Sequence, residues 1–223
     1  MSFEPRPDPR PDDVVWPEAR WPPAPDVVLA GEVVRLTPTV DADLPQLWSA
    51  LDDERVWEHL PMGRPAEAAA LGEVLGGMRE RGFHPWTLRL RQAVGALGPG
   101  AVVGWSSYLD VSPSDARCEI GATAYAVAVW GSAVNPDAKL QLLAYAFDVL
   151  GMGRVQLKTD VRNARSQRAI AGIGATYEGV LRRFNRRADG TVRDSVLFSV
   201  TAEEWPAVRE HLVARVSAHR PQG

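Results

Sequence analysis

The chain has 223 residues, 45% of them hydrophobic, and its 25 basic and 28 acidic side chains leave a formal charge of -3. That length and apolar content suffice for one well-buried core plus an appendage, and the near balance of charge removes the global basic field that would draw a protein to nucleic acid or an anionic membrane. The single cysteine, Cys118, excludes an intramolecular disulfide framework and a four-cysteine zinc site, so a reducing cytoplasm is the expected location.

The first thirty residues hold eight of the eighteen prolines, in "EPRPDPRPDDVVWPEARWPPAP". Missing backbone donors disfavour helix and central strand there, so residues 1–30 read as an extended arm and residues 31–223 as the folded domain. Trp16 and Trp21 are unusual in a solvated tail and suggest that the arm lies along the body or along a second subunit, as in a homodimer. No apolar signal core opens the chain. The longest apolar run, 124 to 130, is far short of the roughly 20 residues that span a bilayer.

From Gly31, "GEVVRLTPT" reads as a short strand. "DADLPQLWSAL" then places Leu44, Leu47, Trp48 and Leu51 on one helical face behind Asp41 as N-cap. Leu71, Val74, Leu75 and Met78 repeat that spacing in a second helix between Pro65 and Gly82. Three strand candidates follow, "PWTLRLRQ" from 85, "AVVGWSSYLDV" from 101 and "CEIGATAYAV" from 118, joined by turn-rich links short enough for antiparallel hairpins.

A helix over 136–150 leads to the strand "GMGRVQLKTDV" and to the helix "NARSQRAIAGIG", with Asn163 as cap, which together imply a parallel crossover. Asp189-Gly190 between two alternating segments predicts a hairpin. In "TAEEWPAVREHLVARV" a capping box from Thr201 to Glu204 precedes Pro206, predicting one turn and then a helix. The sum is an α/β fold: a mixed, mostly antiparallel sheet of six or seven strands flanked by four or five helices.

The strand-to-helix junction "GSAVNPDAK" at 131–139 is the most informative stretch. A helix N-terminus carries unpaired N–H groups and partial positive charge, which suit phosphate. Gly131, Ser132, Ala133 and Val134 are small enough for a diphosphate to approach the backbone, with Asn135 as cap and Pro136 at the first helical position. Asp137 argues against an anion there unless its side chain turns away. An ordinary capped turn is the alternative. The P-loop and dinucleotide-binding glycine signatures are absent.

These segments, with "KTDVRNARSQRAIAGIGA" and "EGVLRRF", resemble the GNAT superfamily of N-acetyltransferases, and within it the RimJ/RimL-type ribosomal-protein alanine acetyltransferases, over about 31 to 210. The resemblance implies a sheet with a V-shaped splay between the parallel strands 118–127 and 154–161. Acetyl-CoA would enter that splay and rest its pyrophosphate on 131–136. The superfamily's Gln/Arg-x-x-Gly-x-Gly/Ala signature is degenerate here, with Val129, Ser132 and Val134 at the nearest positions.

The implied activity is direct acetyl transfer from acetyl-CoA to a primary amine: a protein N-terminus, an amino sugar or a small metabolite. The alternative is a protein that keeps the acyl-CoA groove, or only a scaffold role, without turnover. By the resemblance Glu119 is the first candidate for general base, or else a solvent-facing strand carboxylate opposite a basic neighbour; Asp160 and Asp194 come after it, since each could simply satisfy an adjacent arginine. Ser166 is the candidate donor to the departing thiolate, or merely the third residue of a capped helix, with Tyr125 as substitute. Backbone N–H groups near Gly121 to Thr123 could hold the oxyanion. Asn163 and Lys139 join residues 131–135 and Ser166 as cofactor contacts. Trp57, His59, His84 and Trp86 are the candidates for acceptor recognition, although such tryptophans are usually core. No metal site is expected, since His59 and His84 lack ligand spacing. "RRFNRR" at 182–187 is the one concentrated basic run.

Overall fold

A computed structural model describes residues 4–8, 10 and 13–219. Its strands are β1 (Leu29–Ala30), β2 (Val34–Pro38), β3 (His84–Leu90), β4 (Val102–Ser112), β5 (Arg117–Tyr125), β6 (Arg154–Asp160), β7 (Thr176–Arg186) and β8 (Val192–Thr201). Its α-helices are α1 (Leu44–Leu51), α2 (Glu54–Trp57), α3 (Ala68–Glu80), α4 (Val134–Ala144), α5 (Ala164–Ala171) and α6 (Trp205–Ala218). The two-residue β1 and four-residue α2 take the described totals past the six or seven strands and four or five helices expected. Neither is long enough to leave a periodic pattern in the sequence.

All eight strands form one sheet in the order β1-β2-β3-β4-β5-β6-β8-β7. Every pairing is antiparallel except β5 with β6, which run parallel through α4 as the crossover. That parallel ladder holds only Arg117 to Arg154, Cys118 to Val155 and Glu119 to Gln156. Beyond Glu119 the two strands part, which is the expected V.

Strand alternation sends side chains to two faces. On one face Val103, Tyr108, Cys118, Ile120, Val155, Leu157, Val196, Phe198 and Val200 form a core with the inner sides of α4, α5 and α6. On the other, Trp105 and Ala124 pack against Leu47, Leu51, Leu71, Leu75 and Met78 of α1 and α3. Each fully buried Leu or Met there contributes about 1.5 to 3 kcal/mol. The helices of this second face leave β6 and β8 uncovered, and those strands carry polar residues there.

Several termini differ from expectation. Asp41 opens a 3-10 turn, and Asp43 is the residue tied inward, its carboxylate accepting from the Val40 N–H, the Thr87 hydroxyl and Arg89. Helix α4 starts at Val134 with Ala133 before it, so Asn135 lies inside the first turn and is not the cap. Ser132 takes that part, its Oγ accepting from the Val134 N–H at 3.2 Å. The Asn163 cap is present, its Oδ1 accepting from the Ser166 N–H at 2.9 Å. Asn163→Ala is therefore expected to lower unfolding free energy by about 1 kcal/mol, read as a lower urea midpoint at unchanged slope.

Residues 17–21 of the arm lie along the body. The Arg20 N–H donates to the Leu150 carbonyl at 2.7 Å, and the Trp21 ring meets His84 edge-on at 4.6 Å and Tyr108 at 6.0 Å. Trp16 is exposed. Positions 1–3, 9, 11 and 12 of the expected arm, and 220–223 of the domain, lie outside the described residues. No described helix is long and apolar enough to cross a membrane.

Candidate active site

At the head of the splay, Gly131 takes φ +76°, a left-handed conformation that favours glycine. The amides of Gly131, Ala133 and Asn135 donate no hydrogen bond among the described residues. Asp137 does not oppose an anion at this loop. Its buried carboxylate turns toward β2 and accepts the N–H groups of Val33 and Val34 at 2.7 and 2.8 Å. A methyl group on Gly31 would collide with that carboxylate. Three free amides beside a helix N-terminus, with the nearest acid turned away, are an arrangement that suits an anion.

Lys139, expected at the cofactor, points elsewhere. It lies past the first turn of α4 on the sheet side, and its Nζ donates to Ser106 Oγ and Thr123 Oγ1, each at 3.0 Å. Those two hydroxyls are 2.7 Å apart. They bracket a bulge where Trp105 faces Ala124 and Ser107 faces Gly121, so that Ala122 and Thr123 together oppose Ser106. Ala122 there has φ +45°. Such a bulge detaches backbone from the ladder at the point where β5 has already left β6. No carboxylate pairs with Lys139, and burial pulls its ammonium down to about 7.

Glu119 has the basic neighbour of its alternative reading, Lys158, but not the solvent exposure. Only 4% exposed, it pairs with Lys158 Nζ at 2.7 Å and accepts from Gln156 Nε2 at 3.3 Å. Burial raises its pKa, with Lys158 opposing. A Cβ on Gly121 would come within 2.8 Å of Glu119 Oε1, so the carboxylate lies over that glycine, next to the bulge. Phe184 covers Lys158, with Nζ 4.5 Å from the ring centre.

On the opposite rim Ser166 is the third residue of α5, and its hydroxyl makes no hydrogen bond among the described residues. Tyr125 is a weak proton donor: its hydroxyl is buried without a partner, and burial pushes the phenol far above its ordinary value. The two rims are joined by a contact the sequence did not suggest. The Arg165 guanidinium from α5 stacks on Trp130 from the loop after β5, 3.4 Å from the ring centre.

Two expected recognition residues are core. Trp86 is 1% exposed between Tyr108 and Tyr145, because its position on β3 faces the inner core. Trp57 is buried against Trp105 at 5.8 Å and donates its indole N–H to the Leu51 carbonyl. His59 is half-buried beside Glu58, and His84 is taken by Trp21. Asp160 is held by the Arg187 guanidinium at 2.6 and 2.9 Å, and Asp194 accepts the backbone N–H of Arg183. In the basic run, Arg182, Arg183 and Arg186 are exposed on β7. An open cleft of about 850 Å³ between α1 and the end of β5 contains none of the splay residues named here.

Residues 34–176 match the family model for the acetyltransferase (GNAT) domain, which spans the splay, the loop 131–136 and both rims. The chain belongs to the GNAT acetyltransferase family. A candidate acetyltransferase from T. thermophilus is 38% identical, with 88% of this chain and 99% of that one aligned at a TM-score of 0.76. The Mycobacterium smegmatis RimJ structure in complex with CoA-disulfide is 24% identical over 90% of this chain and 97% of its own, at a TM-score of 0.70, a likeness of fold. The FsC-acetyl coenzyme A-N(2)-transacetylase of Aspergillus fumigatus is 25% identical over 145 residues, 59% of this chain. This GNAT chain matches 62% and 57% of the lengths of the curated relatives.

Proposed function

We propose that the protein transfers an acetyl group from acetyl-CoA directly to a primary amine. The observation that carries this reading is the parted pair β5 and β6, headed by the free amides of Gly131, Ala133 and Asn135. The pyrophosphate would rest on that loop and the pantetheine arm would pass between the strands. The acceptor would approach from the polar face that holds Glu119.

An alkylammonium of pKa near 10.4 must lose a proton before it attacks, which at pH 7 costs about 4 to 5 kcal/mol. Glu119 receives that proton, directly or through water. The amine then adds to the thioester carbonyl, and backbone N–H groups near Gly121 to Thr123, at the bulge, hold the oxyanion. As the C–S bond breaks, the Ser166 hydroxyl donates to the departing thiolate. The acceptor classes that fit this chemistry are a protein N-terminus, an amino sugar and a small metabolite. The described arm residues that touch the body, 17–21, serve as a strap on this transferase domain.

Calorimetric titration with acetyl-CoA, followed by thiol release with a panel of amines, tests the reading. Binding with turnover supports it; binding with no turnover on any amine leaves an acyl-CoA-binding protein. Asn135→Asp, which adds charge beside the free amides, is expected to weaken acetyl-CoA binding by about tenfold, and unchanged affinity would remove the phosphate-loop assignment.

A further inference from the structure

Arg193 lies on β8, opposite Asn185 of β7. It has the same parity as Ser195, Leu197 and Ser199, which face Asp160, Lys158 and Gln156 across the β6 pairing. Its side chain therefore stands on the polar face with Glu119, away from the face where α4 and its phosphate loop sit. The Nε is buried and without a partner, and the guanidinium makes no hydrogen bond or ion pair among the described residues. Desolvation lowers its pKa, yet an arginine stays charged.

Charge bookkeeping sharpens the anomaly. The carboxylates that act on Arg193 are those of Asp160 and Glu119, and each already has its own cation: Arg187 on Asp160 at 2.6 and 2.9 Å, Lys158 on Glu119 at 2.7 Å. Asp194, the next residue, accepts from the Arg183 N–H. Arg193 is thus a surplus, half-buried cation whose Nε is shut from solvent without an acceptor, on the face of the carboxylate proposed as base. Burying its Nε–H without an acceptor is costly, and an anion that forks onto the guanidinium removes the cost.

We propose that Arg193 is a subsite for an anionic group of the acceptor, a carboxylate carried on the same molecule as the reacting amine. This rests on the transferase reading above. The cofactor's phosphates are the less suitable occupant, because the cradle of free amides opens on the opposite face.

The test has a binding arm and a kinetic arm. The Arg193 Nε–H resonance, assigned by its loss in Arg193→Gln and followed by ¹⁵N NMR, is titrated with the N-acetyl derivatives of glycine, aspartate and glutamate. Their carboxamides are the neutral controls, and CoA is the phosphate control. The expected result is a saturable shift with at least one carboxylate and none with the carboxamides. In the kinetic arm Arg193→Gln lowers kcat/KM for amino carboxylates by about tenfold or more, leaves matched amino amides and acetyl-CoA affinity unchanged, and is partly rescued in Arg193→Lys. An unmoved resonance, or equal loss for carboxylates and amides, overturns the subsite even if the enzyme acetylates amines. A shift with CoA alone reassigns Arg193 to the cofactor and also overturns it. A carboxylate-specific shift in a protein that acetylates nothing upholds the subsite and sinks the transferase reading.

Discussion

Replacing Glu119 by glutamine is expected to cut turnover by about 10² to 10⁴ while leaving acetyl-CoA affinity unchanged, because the amide keeps the shape and loses the proton acceptor. The fold should tolerate the change. Lys158 loses its 2.7 Å partner but retains the Phe184 ring and lies 3.9 Å from Asp110. Burial raises the Glu119 pKa, so the wild-type rate should climb with pH through a limb above the ordinary glutamate range, and that limb should vanish in the variant. Stopped-time thiol release across pH, beside calorimetry with acetyl-CoA, reads both quantities. An equal loss of affinity and turnover would mark Glu119 as a structural half of the Lys158 pair.

Lys139→Met is expected to stabilise the protein at pH 7, by on the order of 2 to 4 kcal/mol, since an apolar side chain of similar length removes a desolvated amine that lacks a counterion. Ser106 and Thr123 keep each other at 2.7 Å, so no hydroxyl is orphaned. The sign follows from linkage. The folded state holds the Lys139 ammonium at about 7 against the ordinary lysine value of 10.5, so between those values the unfolded chain binds the extra proton. The penalty is therefore full below about pH 7 and is relieved as pH rises toward 10.5, at about 1.4 kcal/mol per pH unit. Urea unfolding at several pH values from about 6 to 9 should give a rising wild-type stability and a flatter curve for the variant. A destabilised variant would mean that the lysine's two hydrogen bonds outweigh its desolvation. A lysine that costs stability at the bulge breaks the pattern of a satisfied core, a pattern that proteins break most often where they work.

The periodic elements were legible because their signals are local. Leu71, Leu75 and Met78 line one side of α3 by spacing alone. Asp189-Gly190 turns β7 into β8. Asn163 caps α5 through a bond spanning three residues. Even the start of α4 is legible in the small residues ahead of an Asn-Pro, although Ser132 and not Asn135 holds its cap. The splay itself came from family resemblance, since no local pattern announces that a parallel ladder stops after three pairs.

What the sequence by itself determined was therefore the order and type of the elements and the stretch that heads the crossover helix. Only the tertiary structure decided which way the polar side chains turn. Lys139 reaches Ser106 and Thr123 across 33 and 16 positions, Arg165 closes on Trp130, Glu119 meets Lys158, and Arg193 is left without a partner. Trp86, a recognition candidate by residue type, is core because β3 runs through the middle of the sheet. Strand and helix periods depend on neighbours within a few residues. Ionic and hydrogen-bonded partners depend on which strands become adjacent, and that is settled only when the whole core closes.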